Sequence, residues 1–427
     1  MGFMPFQILG VWIKGMLSIL LLALGPYLLY HWCDTAHVVR TRSPNIVAVP
    51  TTQTTTQPAG VQMTTVEPRQ QERVFAPNWG FNRQTGLFAL GLGMLLWALP
   101  KGPALNLRRL MRKPGPDEPR SLRTGEVQRL TRPDGSELRV EMYGPPDAQP
   151  IVLTHGWGLD SDEWYYAKKE LSKYRLIVWD LPGLGLSKQP DNHDYSLENL
   201  ARDLDAVITA AGAQPVVLLG HSIGGMISLT HCKLFPQAMG VRVCGLILVN
   251  TTYTNPVRTT SMAGLKMALQ KPVFEPLLHL TIWLSPLVRV MNWMSYWNGS
   301  AHKSSESSGF SGKETRGQLD FVASYTPRAS PAVTARGMLG MLRYDASDTL
   351  RTVSVPTLVI TGDKDSVCKP EASEHMRATI PRAELVTFSP AKHEGLLEHH
   401  EKFSEAIRVF VARCSRPGDA ILQQIRE

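Results

Sequence analysis

An α/β fold, a mainly parallel central sheet with helices on both faces, is the architecture this sequence predicts. Three observations carry it. From Ile151 to Val249 short apolar runs alternate with helix-length stretches, the pattern of strands linked by crossover helices. The alternation resumes near Thr357 with Thr357-Leu358-Val359-Ile360 and Leu385-Val386-Thr387-Phe388. Between the two halves, Thr251 to Leu350 is too long for a simple loop and forms a unit of its own.

The first third of the 427-residue chain reads differently. Residues 11–32 are apolar apart from Lys14 near their start, approaching the ~20 residues that span a bilayer as a helix. No cationic cluster precedes them and no small-x-small cleavage site follows, so they predict a retained anchor rather than a removed signal peptide. Residues 86–100 are shorter and glycine-rich, and read as a second span, with a re-entrant piece or a buried helix as the alternatives. Residues 33–85, rich in Thr and Gln around Thr51 to Thr65, read as a flexible polar loop. Lys101, Arg108, Arg109, Arg112 and Lys113 follow in a basic segment, 101–119. By the positive-inside rule that cluster belongs in the cytoplasm and brings the rest of the chain with it, giving a helical hairpin with both ends inside. It is also suited to anionic lipid head groups. Net charge is +8, and its concentration beside an apolar segment points to membrane lipids rather than nucleic acid as partner. The five cysteines are odd in number and widely spaced, which suggests a reducing compartment.

The second part opens with a hairpin: Val127 to Leu130, a Pro133-Asp134-Gly135-Ser136 turn, then Leu138 to Tyr143. Ile151-Val152-Leu153-Thr154 then runs into His155-Gly156-Trp157-Gly158, a strand ending in a glycine-bearing loop that can aim a backbone N–H outward. Leu176-Ile177-Val178-Trp179 closes in a Gly/Pro turn, Asp180 to Ser187. Val216-Val217-Leu218-Leu219 leads into Gly220-His221-Ser222-Ile223-Gly224, followed by a helical stretch from Met226 to Leu234. A strand turning sharply into a helix lifts the Ser222 hydroxyl at the turn, and glycines on either side remove side chains that would collide there.

These features, in this order, resemble the α/β-hydrolase superfamily over Val127 to Cys414, most of all its membrane-anchored carboxylesterases and monoacylglycerol-type lipases. The resemblance implies residues 120–250 and 351–427 as the two parts of the core and 251–350 as a cap over the site. It implies Ser222 as nucleophile, with an acid and a histidine following in chain order. Thr361-Gly362-Asp363-Lys364-Asp365 offers two acids; the usual spacing matches Asp365, and Asp363 reads as a turn residue. Asn250 stands where some relatives place the acid. Of the twelve histidines, His393 stands in the right loop. His399 and His400 read as helix residues, His221 as a packed elbow residue and His155 as a shaper of its loop. The Trp157 and Ile223 N–H groups are the implied oxyanion donors. The implied reaction is hydrolysis of a small-molecule or lipid ester; acyl transfer, thioester or C–C hydrolysis, and a catalytically silent membrane scaffold remain open. Metals and other cofactors are not expected, since no ligand spacing or nucleotide loop is present. Oligomeric state leaves no mark in the sequence.

Within the cap, Pro276 to Trp297 is apolar on more than one helical face and is interrupted by Pro286. It reads either as packing or as a lipid-facing surface. Ser304 to Gly312 reads as a serine- and glycine-rich loop.

Overall fold

The computed structural model describes residues 5–41, 71–80, 82–98, 112–260 and 262–414. Side chains of residues 5–19, the Thr51 to Thr65 tract, and Lys101, Arg108 and Arg109 lie outside the described set. The chain divides into two compact units, one comprising Met16–Pro100 and the other Met1–Gly15 with Lys101–Glu427.

In the smaller unit, helix α1 (Pro5–Thr35) and helix α2 (Arg83–Ala98) meet through Gly25 and Gly91. A Cβ at Gly91 would lie 3.0 Å from the Gly25 carbonyl oxygen, so the absence of side chains sets how closely the helices approach. Strands β1 (His37–Thr41) and β2 (Gln71–Phe75) form an antiparallel pair. The expectation of a structureless loop over 33–85 is therefore corrected at both ends, where β-branched and aromatic residues pair across the ribbon. Among the described residues no single helix is long and apolar enough to cross a membrane. With 16 residues, α2 is shorter than the ~20 that span a bilayer as a straight helix.

The larger unit is built on eight strands in the order β10-β9-β8-β7-β5-β6-β4-β3. Along the chain these are β3 (Glu126–Thr131), β4 (Glu137–Tyr143), β5 (Pro150–Thr154), β6 (Arg175–Trp179), β7 (Val216–His221), β8 (Val243–Val249), β9 (Thr357–Gly362) and β10 (Ala383–Phe388). The predicted hairpin is β3–β4; its edge is antiparallel to β6, and every other pairing is parallel. Successive residues of each buried strand face opposite layers. Val152, Ile177, Leu218 and Leu246 pack with α4 (Leu197–Ala210) and α5 (Ile223–Leu234). Ile151, Leu153, Val217 and Ile247 pack with α3 (Tyr165–Glu170) and the C-terminal helix, whose range is given below.

Between β8 and β9 lie six helices: α6 (Ala263–Leu269), α7 (Glu275–Trp283), α8 (Ser285–Trp297), α9 (Ser300–Gly309), α10 (Arg316–Arg328) and α11 (Pro331–Met341). Pro286 sits in the first turn of α8, where its missing N–H has no helical partner anyway, and α7 and α8 meet at 95°. The loop expected over Ser304 to Gly312 is mostly the helix α9. Its serines do not unwind it, because Ser308 donates back to the Ser304 carbonyl and Lys303 pairs with Glu306 one turn on. Arg112 is engaged by Glu306 and the buried Glu314, so its charge is turned inward rather than toward lipid head groups. After β9 come α12 (Pro370–Thr379), α13 (Gly395–Glu398) and α14 (His400–Cys414).

One cation anchors the sheet's loop end. Arg123, only 14% exposed in its side chain, lies 3.0 Å from both Glu141 and Asp180, 3.3 Å from Asp162 and 3.4 Å from Asp160. Burial opposes its charge, but the Asp180 and Asp160 carboxylates outweigh burial and raise its pKa. Replacing Arg123 with methionine strands several buried carboxylates, and is expected to lower the unfolding free energy by ~3–5 kcal/mol in urea denaturation. A change under about 0.5 kcal/mol, typical of a surface position, would contradict that role.

Candidate active site

Ser222 follows β7 and precedes α5 with φ 52° and ψ −117°, a conformation an L-residue holds only when its surroundings enforce it. The enforcement is steric. A Cβ on Gly220 would come within 2.2 Å of the Gly224 backbone, and one on Gly224 within 2.3 Å of the Thr154 carbonyl oxygen. Only glycine lets strand and helix approach this closely, and the serine side chain is thereby lifted off the end of the sheet.

Two of the sequence-predicted partners come together on it. His393 Nε2 lies 3.1 Å from Ser222 Oγ, and His393 Nδ1 lies 2.8 Å from Asp365 Oδ2. Asp365 is buried, and its other oxygen accepts from the Val367 and Cys368 N–H groups at 2.7 and 3.1 Å. Asp363 points elsewhere: its oxygens accept from the Ser389 hydroxyl and the Ala391 N–H. Burial slightly disfavours its charge, but those bonds hold its pKa below the usual carboxylate value. Asn250 accepts from Gly362 N–H at 2.9 Å and donates to the His393 carbonyl at 2.8 Å. It therefore ties the end of β9 to the histidine loop, a positioning role that the sequence did not reveal.

The loop after β5 is equally constrained. His155 Nε2 accepts from the Leu181 N–H and its Nδ1–H donates to the Gly156 carbonyl, so both ring nitrogens are committed to loop shape. The Trp157 indole donates to the Thr334 carbonyl at 2.9 Å. Its ring lies where a side chain on Gly337 would stand, 1.9 Å from that glycine's ideal Cβ. The Trp157 N–H donates to no acceptor among the described residues, and Ile223, at the first position of α5, has no intrahelical acceptor. His399 and His400 stay outside: His399 contacts the Pro390 carbonyl, while His400 stacks on Tyr166 and meets Glu170.

Beneath the serine lies a buried pair that sequence spacing did not signal. His221 Nε2–H donates to the His393 carbonyl at 3.1 Å, and Nδ1 lies 2.5 Å from Glu163 Oε1. Glu163 Oε2 accepts from the Gly156 N–H at 2.9 Å. The pair thus joins the Gly156 loop, the elbow and the histidine loop. Burial lowers the His221 pKa, but the Glu163 carboxylate outweighs it and pushes the value up to about 8. Among the described residues, Glu163, His221 and Glu394 also form a group with ligand atoms within 4.8 Å of one another. Zinc ligands lie about 2.0–2.2 Å from their ion, which spaces neighbouring ligand atoms wider than this direct His221–Glu163 contact. The arrangement fits an ion pair and not a metal centre.

A small pocket at Ser222, bounded by Trp157, Met338 and Val367, adjoins a second cavity of about 130 Å³ lined by α7 to α11. Both reach His393 and Glu394. Leu278, Val288, Val322 and Met338 make the second cavity apolar. Among its polar residues, Ser295, Ser308 and Asn292 donate to helix carbonyls, so these hydroxyl hydrogens and this amide are spent internally.

The alpha/beta hydrolase family matches residues 151–406, more than half the chain. This chain belongs to that family. Lipase 1 of Psychrobacter immobilis is 24% identical over 303 residues, covering 67% of this chain and 84% of that protein. The pimeloyl-[acyl-carrier protein] methyl ester esterase of Xanthomonas axonopodis pv. citri is 30% identical over 284 residues, 64% of this chain and 99% of the esterase. Among solved structures, the esterase EaEST of Exiguobacterium antarcticum superposes with a TM-score of 0.55 at 26% identity, covering 68% of this chain and all of the esterase. These likenesses place the hydrolase with the ester-cleaving, esterase and lipase branch of its family.

The His221–Glu163 pair gives the hydrolase a signed pH dependence. A histidine whose folded pKa is raised to about 8 from 6.5 contributes stability below the lower value and loses it as pH rises through the upper one. That loss is about 2 kcal/mol for this shift. Urea midpoints at pH 6 and pH 9 should show it in the parent and not in Glu163→Gln; equal slopes in the two proteins would refute the pairing.

Proposed function

We propose that this protein is a membrane-attached serine hydrolase that cleaves carboxylic esters with lipid-like acyl chains through an acyl-enzyme. One observation carries the reading: His393 stands within hydrogen-bond reach of Ser222 Oγ with one ring nitrogen while the other faces buried Asp365. His393 Nε2 takes the Ser222 proton as Oγ attacks the ester carbonyl, and the Asp365 carboxylate holds the ring and stabilises its charged form. Trp157 and Ile223 N–H groups bind the oxyanion, each donor worth roughly 3 kcal/mol in such sites. His393 then gives its proton to the leaving alkoxide, and the same residue activates the water that hydrolyses the acyl-enzyme. No step calls on a cofactor.

The preference for acyl chains is supported by the apolar cavity beside the serine, and by the lipase and esterase relatives. Membrane attachment, with the hydrolase unit on the cytoplasmic side, is supported by the apolar residues 11–32 and the basic segment that follows residue 100. The helices 263–341 would serve as the cap, with Trp157 packed under Gly337 as its point of contact with the oxyanion loop.

A fluorescent fluorophosphonate should label the parent in membranes and leave Ser222→Ala unlabelled; a folded parent that stays dark would sink the reading. On a soluble ester, Asp365→Asn should lower kcat roughly ten-thousand-fold. Asp363→Asn should stay within about three-fold, since about 0.7 kcal/mol is the scale of such a change. The reverse ranking would reassign the acid.

A further inference from the structure

We propose that the outer faces of α7 and α8 form a docking surface for a lipid bilayer containing anionic head groups, which sets the apolar cavity beside the membrane; the inference rests on the ester-hydrolase reading only for what enters that cavity. The two helices separate the cavity from a strongly apolar outer face. Their inward faces, Leu278 and Thr281 on α7 with Val288, Asn292 and Ser295 on α8, line the cavity that reaches His393. Their outward faces expose Leu280 and Trp283, then Leu287, Val290, Trp293 and Trp297. On α8 the exposed positions 286, 290, 293 and 297 recur every three or four residues, one stripe along the helix. Trp283 is 77% exposed and Trp297 67% exposed.

Three arguments select lipid as the occupant. Tryptophan is the side chain suited to the boundary between head groups and acyl chains, and three are exposed on two adjoining helices. Charge is complementary to an anionic surface: Arg289 is exposed within the stripe and Lys271 is exposed just before α7, whereas the sole carboxylate of α7 and α8, Glu275, accepts from Gln270. The face also offers little hydrogen bonding, since helix backbones satisfy themselves and its exposed side chains are mostly hydrocarbon and indole. A protein partner ordinarily makes about one hydrogen bond per 100–200 Å² of interface. A bilayer requires none.

The test uses the full chain in proteoliposomes of phosphatidylcholine and phosphatidylglycerol, as parent and as the exposed-face variant Trp283→Ser/Val290→Ser/Trp297→Ser. Two readouts are taken: tryptophan quenching by brominated phosphatidylcholine, and turnover of a vesicle-embedded long-chain ester against p-nitrophenyl acetate in solution. Docking requires the quenched fraction to fall in the variant, and turnover of the embedded ester to fall at least ten-fold while soluble-ester turnover stays within two-fold. An unchanged or higher quenched fraction means that Trp283 and Trp297 are in water, and overturns the proposal. So does a lower oligomer mass for the variant in detergent by ultracentrifugation, which would make a second copy the occupant. Loss of soluble-ester turnover in the variant would show a folding defect, and Trp283→Ser alone then decides by the same quenching criterion. If the quenched fraction falls in the variant while the parent hydrolyses neither ester, docking stands and the hydrolase reading falls.

Discussion

The backbone of Ser222 is the constraint from which the rest of the site follows. Its positive φ is a conformation that local interactions would not choose, so it persists because β7, α5 and the end of β5 crowd the turn on every side. Gly220 and Gly224 are the two places where that crowding leaves no room for a side chain. Once the hydroxyl is fixed at the sheet's edge, its partners need only be delivered by neighbouring strand ends. The parallel sheet does this: β9 delivers Asp365, β10 delivers His393 and β5 delivers Trp157, all from C-terminal strand ends on the same side as that of β7.

Delivery alone would leave four loops free to move, and the structure shows what joins them. Asn250 bridges the ends of β9 and the histidine loop. Glu163 and His221 join the Gly156 loop, the elbow and that same histidine loop, so the His393 carbonyl receives two donors from different directions. Arg123 gathers the acids below the turn after β6. Each of these is a buried or largely buried polar group whose satisfaction depends on partners far away in sequence, which makes the loop arrangement cooperative. Removing one partner leaves the others buried and uncompensated.

The helices between β8 and β9 add a second organising element. Trp157 belongs to the loop after β5, yet its ring is held by Thr334 and fitted against Gly337, both on α11. The position of that loop and the position of α11 are therefore linked. α7 and α8 carry apolar residues both on the cavity side, Leu278 and Val288, and on the exposed side, Trp283, Val290 and Trp297, whereas α4 keeps Leu200, Leu204 and Val207 toward the core and Arg202 and Asp205 away from it.

The strands of the sheet, the elbow at Ser222 and the residues Asp365 and His393 were all legible in the sequence, because buried parallel strands are continuous apolar runs and the chemistry sits at their ends. The preference for Asp365 over Asp363 was legible only as spacing; its physical reason is tertiary, since one carboxylate faces His393 and the other is tied to Ser389 and Ala391. Local composition misled at Ser304 to Gly312, where serines suggested a loop but packing and back-bonded hydroxyls sustain a helix. It misled again at residues 33–85, where pairing between distant segments makes a ribbon. Arg112 looked like part of a lipid-facing basic cluster until Glu306 and Glu314, brought close by the fold, turned it inward. The sequence by itself determined the order of strands and the chemical groups at their ends, because burial pattern and turn chemistry are local. Only the tertiary structure decided which buried charges pair, which loops are joined and which helix faces remain exposed, because those depend on residues that meet across the fold.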